Sequence, residues 1–197
     1  MLLNWMDEEA LEVGCDEAGR GCLAGPVFAA AVIIPKGVVI EGLNDSKQLT
    51  EKMRLQLRSE IESKCHWVVA SMTPAEIDSI NILNASIMSM HKALEQLKEP
   101  FNHILVDGNR FKPFKNIRHT TVVKGDGKFM SIAAASILAK THRDAYMEAL
   151  AEKFPEYQWQ KNKGYPTEAH RNAIRLHGSN EHHRKSFTLL PAQISLF

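Results

Sequence analysis

The sequence predicts a fold of the α/β or α+β class, and three observations predict it. Short apolar runs of strand composition alternate with longer segments of helical periodicity. A chain of 197 residues with 44% hydrophobic content can bury one ample core, and it contains no internal repeat or low-complexity stretch. Finally, several apolar runs close on an acid beside a glycine, which places carboxylates where strands end and loops begin.

Leu11 to Cys15 reads as a first short buried strand, and Val27 to Ile34, after Gly25-Pro26, as its partner. Thr50 is a helix N-cap, followed by Met53, Leu57 and Ile61 at four-residue spacing. His66 to Ser71 is a third strand. Thr73 and Pro74 open one long helix whose apolar stripe runs from Ile77 through Ile87 to Leu97 and would cover much of one sheet face. His103 to Asp107 and Thr120 to Val123 are the fourth and fifth strands. Ser131 to about Phe154 is an alanine-rich helix whose small side chains allow close approach to the sheet. From Trp159 to Phe187 six Lys or Arg face two Glu, which makes this segment the candidate basic surface.

The net charge of +1 excludes a uniformly basic nucleic-acid binder, although local charge still matters. Cys15, Cys22 and Cys65 have no Cys-x-x-Cys spacing and read as small core residues in a reducing compartment. No run is long enough to span a bilayer, and Asp7, Glu8 and Glu9 stand where a secretory leader would be basic. A soluble cytoplasmic protein is expected, with no membrane contact.

The chemistry lies in the acids. Asp16 and Glu17 stand side by side between two core strands, where unpaired buried carboxylates are costly, so a cation is expected there. Asp107 closes the fourth strand and Asp126 follows the fifth, so four acids can converge from three strands. Such a cluster is tolerable only with divalent cations, and hard oxygen donors suit magnesium or manganese. Two such ions about 3.5 to 4 Å apart form a clamp for in-line displacement at phosphorus. Strand geometry restricts the picture: successive residues point to opposite faces, so Asp16 and Glu17 serve one site only if the strand ends there. Asp16 is therefore expected to be the last pleated residue, with Gly19 and Gly21 turning the chain. Glu17 is then swung back or offers its carbonyl, and regular pairing through Ala18 would remove it from the site.

The residues that carry this chemistry resemble those of type 2 ribonucleases H, the ribonuclease HII family, along nearly the whole chain. The likeness rests on Asp16-Glu17-Ala18-Gly19-Arg20-Gly21 with Leu23-Ala24-Gly25-Pro26-Val27, on Asn44-Asp45-Ser46-Lys47, and on Val106-Asp107-Gly108. It continues in Lys124-Gly125-Asp126, in Ser131 to Lys140, and in Gly164-Tyr165-Pro166-Thr167. Cys22 stands where many members have proline, and Gly127 and Phe129 vary within a later motif, but no ligand position is touched.

The resemblance implies an α/β fold of the ribonuclease H type, a mixed five-stranded sheet flanked by helices with a helical C-terminal extension. The catalytic domain would span 1–155, with 156–197 contributing to substrate binding in the same globular unit, as a monomer. It implies a Mg2+- or Mn2+-dependent endonuclease that cuts 5′ of ribonucleotides in RNA/DNA hybrids, or of single ribonucleotides embedded in duplex DNA. Products would carry 3′-hydroxyl and 5′-phosphate ends, and the role would be removal of misincorporated ribonucleotides. Asp16, Glu17, Asp107 and Asp126 become the catalytic and metal-binding acids. Gly19, Arg20, Gly21, Ser46, Lys47 and Tyr165 become substrate contacts. Loop physics agrees: glycines let main-chain amides approach a ribose 2′-hydroxyl, arginine suits a phosphate, and a tyrosine ring packs on sugar or base.

Other readings are weaker. Gly14 and Gly19 have the spacing of a phosphate loop, but Arg20-Gly21 replaces its Lys and hydroxyl, and two acids lie where phosphate would sit. His177, His182 and His183 lack zinc-site spacing and read as satisfied or surface histidines. A hybrid-binding module that kept the fold and lost catalysis is opposed by the four intact acids. The last residues include Gln193, Leu196 and Phe197, which resemble the short peptide by which bacterial proteins dock on the replication sliding clamp. Packing of that peptide on the domain itself is the alternative.

Overall fold

A computed structural model describes residues 2–44, 46 and 48–191. Lys47 and the peptide containing Gln193, Leu196 and Phe197 lie outside the described residues. Five strands, β1 (Glu12–Ala18), β2 (Val27–Ile33), β3 (His66–Met72), β4 (His103–Asp107) and β5 (Arg118–Val122), form one sheet in the order β3-β2-β1-β4-β5. β3, β2 and β1 pair antiparallel, whereas β1, β4 and β5 run parallel, so the sheet is mixed. The parallel half directs the C-terminal ends of β1 and β4 to the same edge, where crevices form in open sheets.

The helices are α1 (Glu51–Lys64), α2 (Pro74–Ile80), α3 (Ile82–Gln96), α4 (Met130–Lys153), α5 (Trp159–Asn162) and α6 (Glu168–His177). Alternation along β1 assigns its two faces. Val13 and Cys15 pack with Met90, Ala93 and Leu94 of α3, while Ala18 packs with Ala134 and Leu138 of α4. Gly14 faces α4 so closely that a Cβ there would lie 2.3 Å from the backbone carbon of Ser131. This contact explains the alanine-rich start of α4: only small residues let a helix backbone rest on the strand. Among the described residues no helix is long and apolar enough to cross a membrane.

Two expectations need correction. The single long helix is two, broken at Asn81, whose φ of 65° is positive and whose side chain caps α3 by accepting from the Asn84 N–H at 3.1 Å. With ψ at 162° this is not the αL conformation that asparagine favours but a rarer one, and the side-chain cap on Asn84 helps hold it. Ile77 consequently packs against Val27, Met72 and Ala85, and Met90 and Leu94 cover the sheet centre. The basic segment is also less of a surface than its composition suggests. Arg184 is fully buried, and Lys163 is paired with Glu148 at 2.5 Å.

Beyond α4, the chain folds back through α5 and α6 onto the C-terminal half of that helix. Trp159, Tyr157, Ala173 and Ile174 form a common cluster with Leu23, Ala24, Met147 and Leu150. Leu23 and Ala24 belong to the loop between β1 and β2, so this cluster joins the extension to the segment that follows the two adjacent acids.

Candidate active site

β1 does not end at Asp16. It pairs regularly with β2 through Ala18, opposite Phe28, whereas its pairing with β4 stops at Cys15 opposite Val106. The expected strand end is therefore wrong, and the pairing is regular through Ala18, the condition set for removing Glu17, yet Glu17 still borders the opening formed here. Past Cys15 the β4 side of β1 has no ladder partner, and face and edge of the sheet merge into one opening. Asp16, Glu17 and Asp107 all line that cavity, which has a volume of about 260 Å3.

Asp16 is 6% exposed and faces α4. Burial, then the neighbouring charges of Glu17 and Asp107, push its carboxyl well above the usual carboxylate range, opposed by hydrogen bonds from Ser136 and from the Glu17 main chain. The Glu17 N–H donates to Asp16 Oδ1 at 2.7 Å, and Glu17 Oε1 accepts from Arg20 Nη1 at 3.1 Å. Asp107 closes β4, and its Oδ1 accepts from the Gly125 N–H at 2.7 Å.

Asp126 is placed differently from the expectation of a strand end. β5 stops at Val122, Lys124 turns left-handed at φ 55°, and Asp126 lies buried on a 3-10 turn, Gly125–Gly127. It is not among the residues lining the cavity, although its turn is tied to Asp107 through Gly125. The structure thus brings three of the four acids to one cavity.

The remaining walls are largely those anticipated. Gly19, Arg20 and Gly21 form one side, Tyr165 another, and Ser46 a third, its Oγ 3.0 Å from that of Ser136. Tyr165 is 37% exposed, and burial of its inner part raises its hydroxyl pKa. Ser136 and Lys140 also line the cavity and were not singled out as site residues from sequence. Their signal was there: Ser136, Lys140 and Arg143 recur at helical spacing within an otherwise alanine-rich α4. Lys140 pairs with Asp144 one turn on, which holds a cation at the cavity wall.

His183, one of the histidines considered for zinc, is a satisfied core residue. Its Nδ1 accepts from the Asn180 N–H at 3.1 Å, and its ring packs on Tyr157 and Trp159. Trp159 Nε1–H donates to His170 Nε2 at 2.9 Å, and the other His170 ring nitrogen is 2.9 Å from the Tyr165 carbonyl.

For a divalent cation the donor chemistry fits. Asp16, Glu17 and Asp107 are hard oxygen donors whose crowding burdens Asp16 with like charge, and a cation would relieve that cost. Among the described residues no three His, Cys, Asp or Glu side chains are grouped closely enough to form a finished ion cage, and one oxygen each of Asp107 and Glu17 accepts from Gly125 and Arg20.

The sequence profile of the family described as Ribonuclease HII matches residues 13–190. Ribonuclease HII of Parabacteroides distasonis is 61% identical over 197 residues, covering 100% of this chain and 99% of that protein. Among solved structures, ribonuclease H2 from Pyrococcus horikoshii superposes with a TM-score of 0.77 at 27% identity, over 90% of this chain and 94% of that one. The ribonuclease HII of a PCNA complex from Archaeoglobus fulgidus does so with a TM-score of 0.76 at 26% identity, over 93% and 98%.

Proposed function

Because the chain belongs to the ribonuclease HII family and is an endoribonuclease H, a hydrolase, we propose that it cuts on the 5′ side of ribonucleotides in RNA/DNA hybrids and of single ribonucleotides in duplex DNA. The products are a 3′-hydroxyl and a 5′-phosphate. One observation carries this reading: Asp16, Glu17 and Asp107 line the same cavity as Gly19, Arg20, Gly21 and Tyr165, so a carboxylate cluster and a surface suited to a sugar meet in one place.

Asp16, Glu17 and Asp107, with Asp126 on the neighbouring turn, would hold Mg2+ or Mn2+, which would supply Lewis acidity at the scissile phosphate. The chain's own residues do the rest. Gly19 and Gly21 leave the main chain bare where a ribose approaches, and only RNA offers a 2′-hydroxyl to those amides. Arg20 is half-exposed beside Glu17 and takes the adjacent phosphate by a bidentate fork. Tyr165 packs its ring on the sugar or base, and Lys140 and Lys47 add phosphate contacts. Ser46 and Ser136, hydrogen-bonded to each other at 3.0 Å, brace the wall behind Asp16.

Residues 1–155 hold the acids in this reading, and 156–197 contribute Tyr165. Docking on a sliding clamp through Gln193, Leu196 and Phe197 belongs to the proposal as well, supported by the PCNA complex formed by the Archaeoglobus fulgidus protein. The test of the chemistry is to map product ends. The upstream fragment must prime DNA polymerase without phosphatase treatment, and the downstream fragment must be ligatable without kinase. A 2′,3′-cyclic phosphate instead would refute metal-assisted hydrolysis.

A further inference from the structure

Two arginines next to the cavity are among the most deeply buried side chains of the molecule, Arg143 at 1% and Arg184 at 0% exposure. Burying a guanidinium is costly unless its donors are satisfied, and here main-chain carbonyls satisfy them. Arg143 donates from Nε to Pro26 at 3.0 Å, from Nη2 to Ala24 at 3.1 Å and from Nη1 to Lys163 at 2.9 Å. It therefore joins the loop after β1 to the segment that precedes Tyr165. Arg184 closes the same loop from the far side, donating to the carbonyls of Arg20 and Gly25.

Arg143 also lies directly beneath both substrate-facing groups. Gly19, at φ +92°, rests on the guanidinium so closely that a Cβ would sit 2.0 Å from Nε. The Tyr165 ring centroid is 5.8 Å from Arg143 Cζ, within cation–π range. Gly164, just before Tyr165, lies against the Ala24 carbonyl, and a Cβ there would approach it to 2.5 Å. The Leu23 N–H meanwhile donates to the Gly164 carbonyl at 2.8 Å.

We propose that Arg143 is a specificity-determining positioning residue, whose planar guanidinium sets the separation between Gly19 and Tyr165 and thereby the width of the slot that receives the ribose. The inference rests on the reading of Gly19 and Tyr165 as substrate contacts. Lysine keeps the charge but cannot reach three divergent carbonyls from one rigid plane.

The experiment is steady-state cleavage of a DNA duplex with one ribonucleotide by full-length Arg143→Lys, alone and combined with Tyr165→Ala. The single variant should raise KM about tenfold or more and leave kcat within about threefold of wild type. With the ring already gone, Arg143→Lys should add little to KM, because the two residues act as one unit. An unchanged KM in a folded variant, or equal increments with and without Tyr165, would overturn the inference. If Arg143→Lys fails to fold by circular dichroism, Gly164→Ala carries the test by displacing the Tyr165 segment, with the same rise in KM expected and an unchanged KM again overturning it. Wild-type protein that leaves this duplex intact overturns the underlying reading of the site instead.

Discussion

The Gly125 N–H donates to Asp107 Oδ1 at 2.7 Å, so the acid that closes β4 is also the anchor of the turn that carries Asp126. This bond separates charge from architecture at Asp107. Asparagine keeps an oxygen that accepts from Gly125 but loses the negative charge. Asp107→Asn should therefore fold with a stability change below about 1 kcal/mol and lose turnover by about a thousandfold or more. Binding of a ribonucleotide-bearing duplex should persist through the basic contacts. Chemical denaturation, a cleavage assay and a gel-shift on one preparation check the three parts.

Gly14 tests the packing that sets α4 against the sheet. A Cβ at this position would sit 2.3 Å from a backbone carbon, which no side-chain rearrangement relieves. Gly14→Ala should lower stability by about 1 to 3 kcal/mol. Ser136 and Lys140 should then move relative to Asp16, with a drop in activity measured well below the unfolding temperature. Undiminished stability on urea denaturation would contradict the contact.

His183 makes a pH prediction. Burial, and then the neighbouring His170, push its pKa down from 6.5 to about 4 in the folded chain. Between those values the unfolded state binds the proton and the folded state does not, so stability rises with pH across that window. It should be complete above about pH 6.5 and lost progressively as pH falls toward 4. The full shift corresponds to about 3 kcal/mol, and solvent screening reduces it to about 1 to 2 kcal/mol. Urea denaturation at several pH values should show this slope, and His183→Gln should flatten it.

Tyr165 offers a test of the substrate wall. The ring, rather than the hydroxyl, is the group that packs on a sugar or base, so Tyr165→Phe should stay within about threefold of wild type in kcat/KM and Tyr165→Ala should fall by about tenfold or more. Equal losses in the two variants would instead assign the role to the hydroxyl.

Much of this fold was legible in the sequence because local signals and the global pattern agree. The bounds of β4, His103–Asp107, follow from an apolar run stopped by acid and glycine, and Thr50 caps α1 as its residue type suggests. Asp16, Glu17 and Asp107 were legible as a group because buried acids are rare and clustered acids rarer. The failures have a common cause, namely dependence on distant partners. β1 runs on to Ala18 because β2 continues beside it to Phe28, and no signal within 16–18 shows that. Asn81 breaks a helix whose apolar stripe continues past it, since its own side chain supplies the next cap. Arg143 and Arg184 look like surface charges in sequence, and only the carbonyls of 20, 24, 25, 26 and 163 make their burial intelligible.

The most direct measurement is cleavage of an end-labelled DNA duplex containing one ribonucleotide, with Mg2+, with Mn2+ and with chelator, beside all-DNA and all-RNA duplexes and the Asp107→Asn variant. A single nick 5′ to the ribonucleotide, dependent on the metal and absent in Asp107→Asn, is the result expected from a cavity that joins the acids to the Gly19–Gly21 loop. A nick of equal strength in chelator, or one that persists in Asp107→Asn, would contradict the assignment of catalysis to these carboxylates.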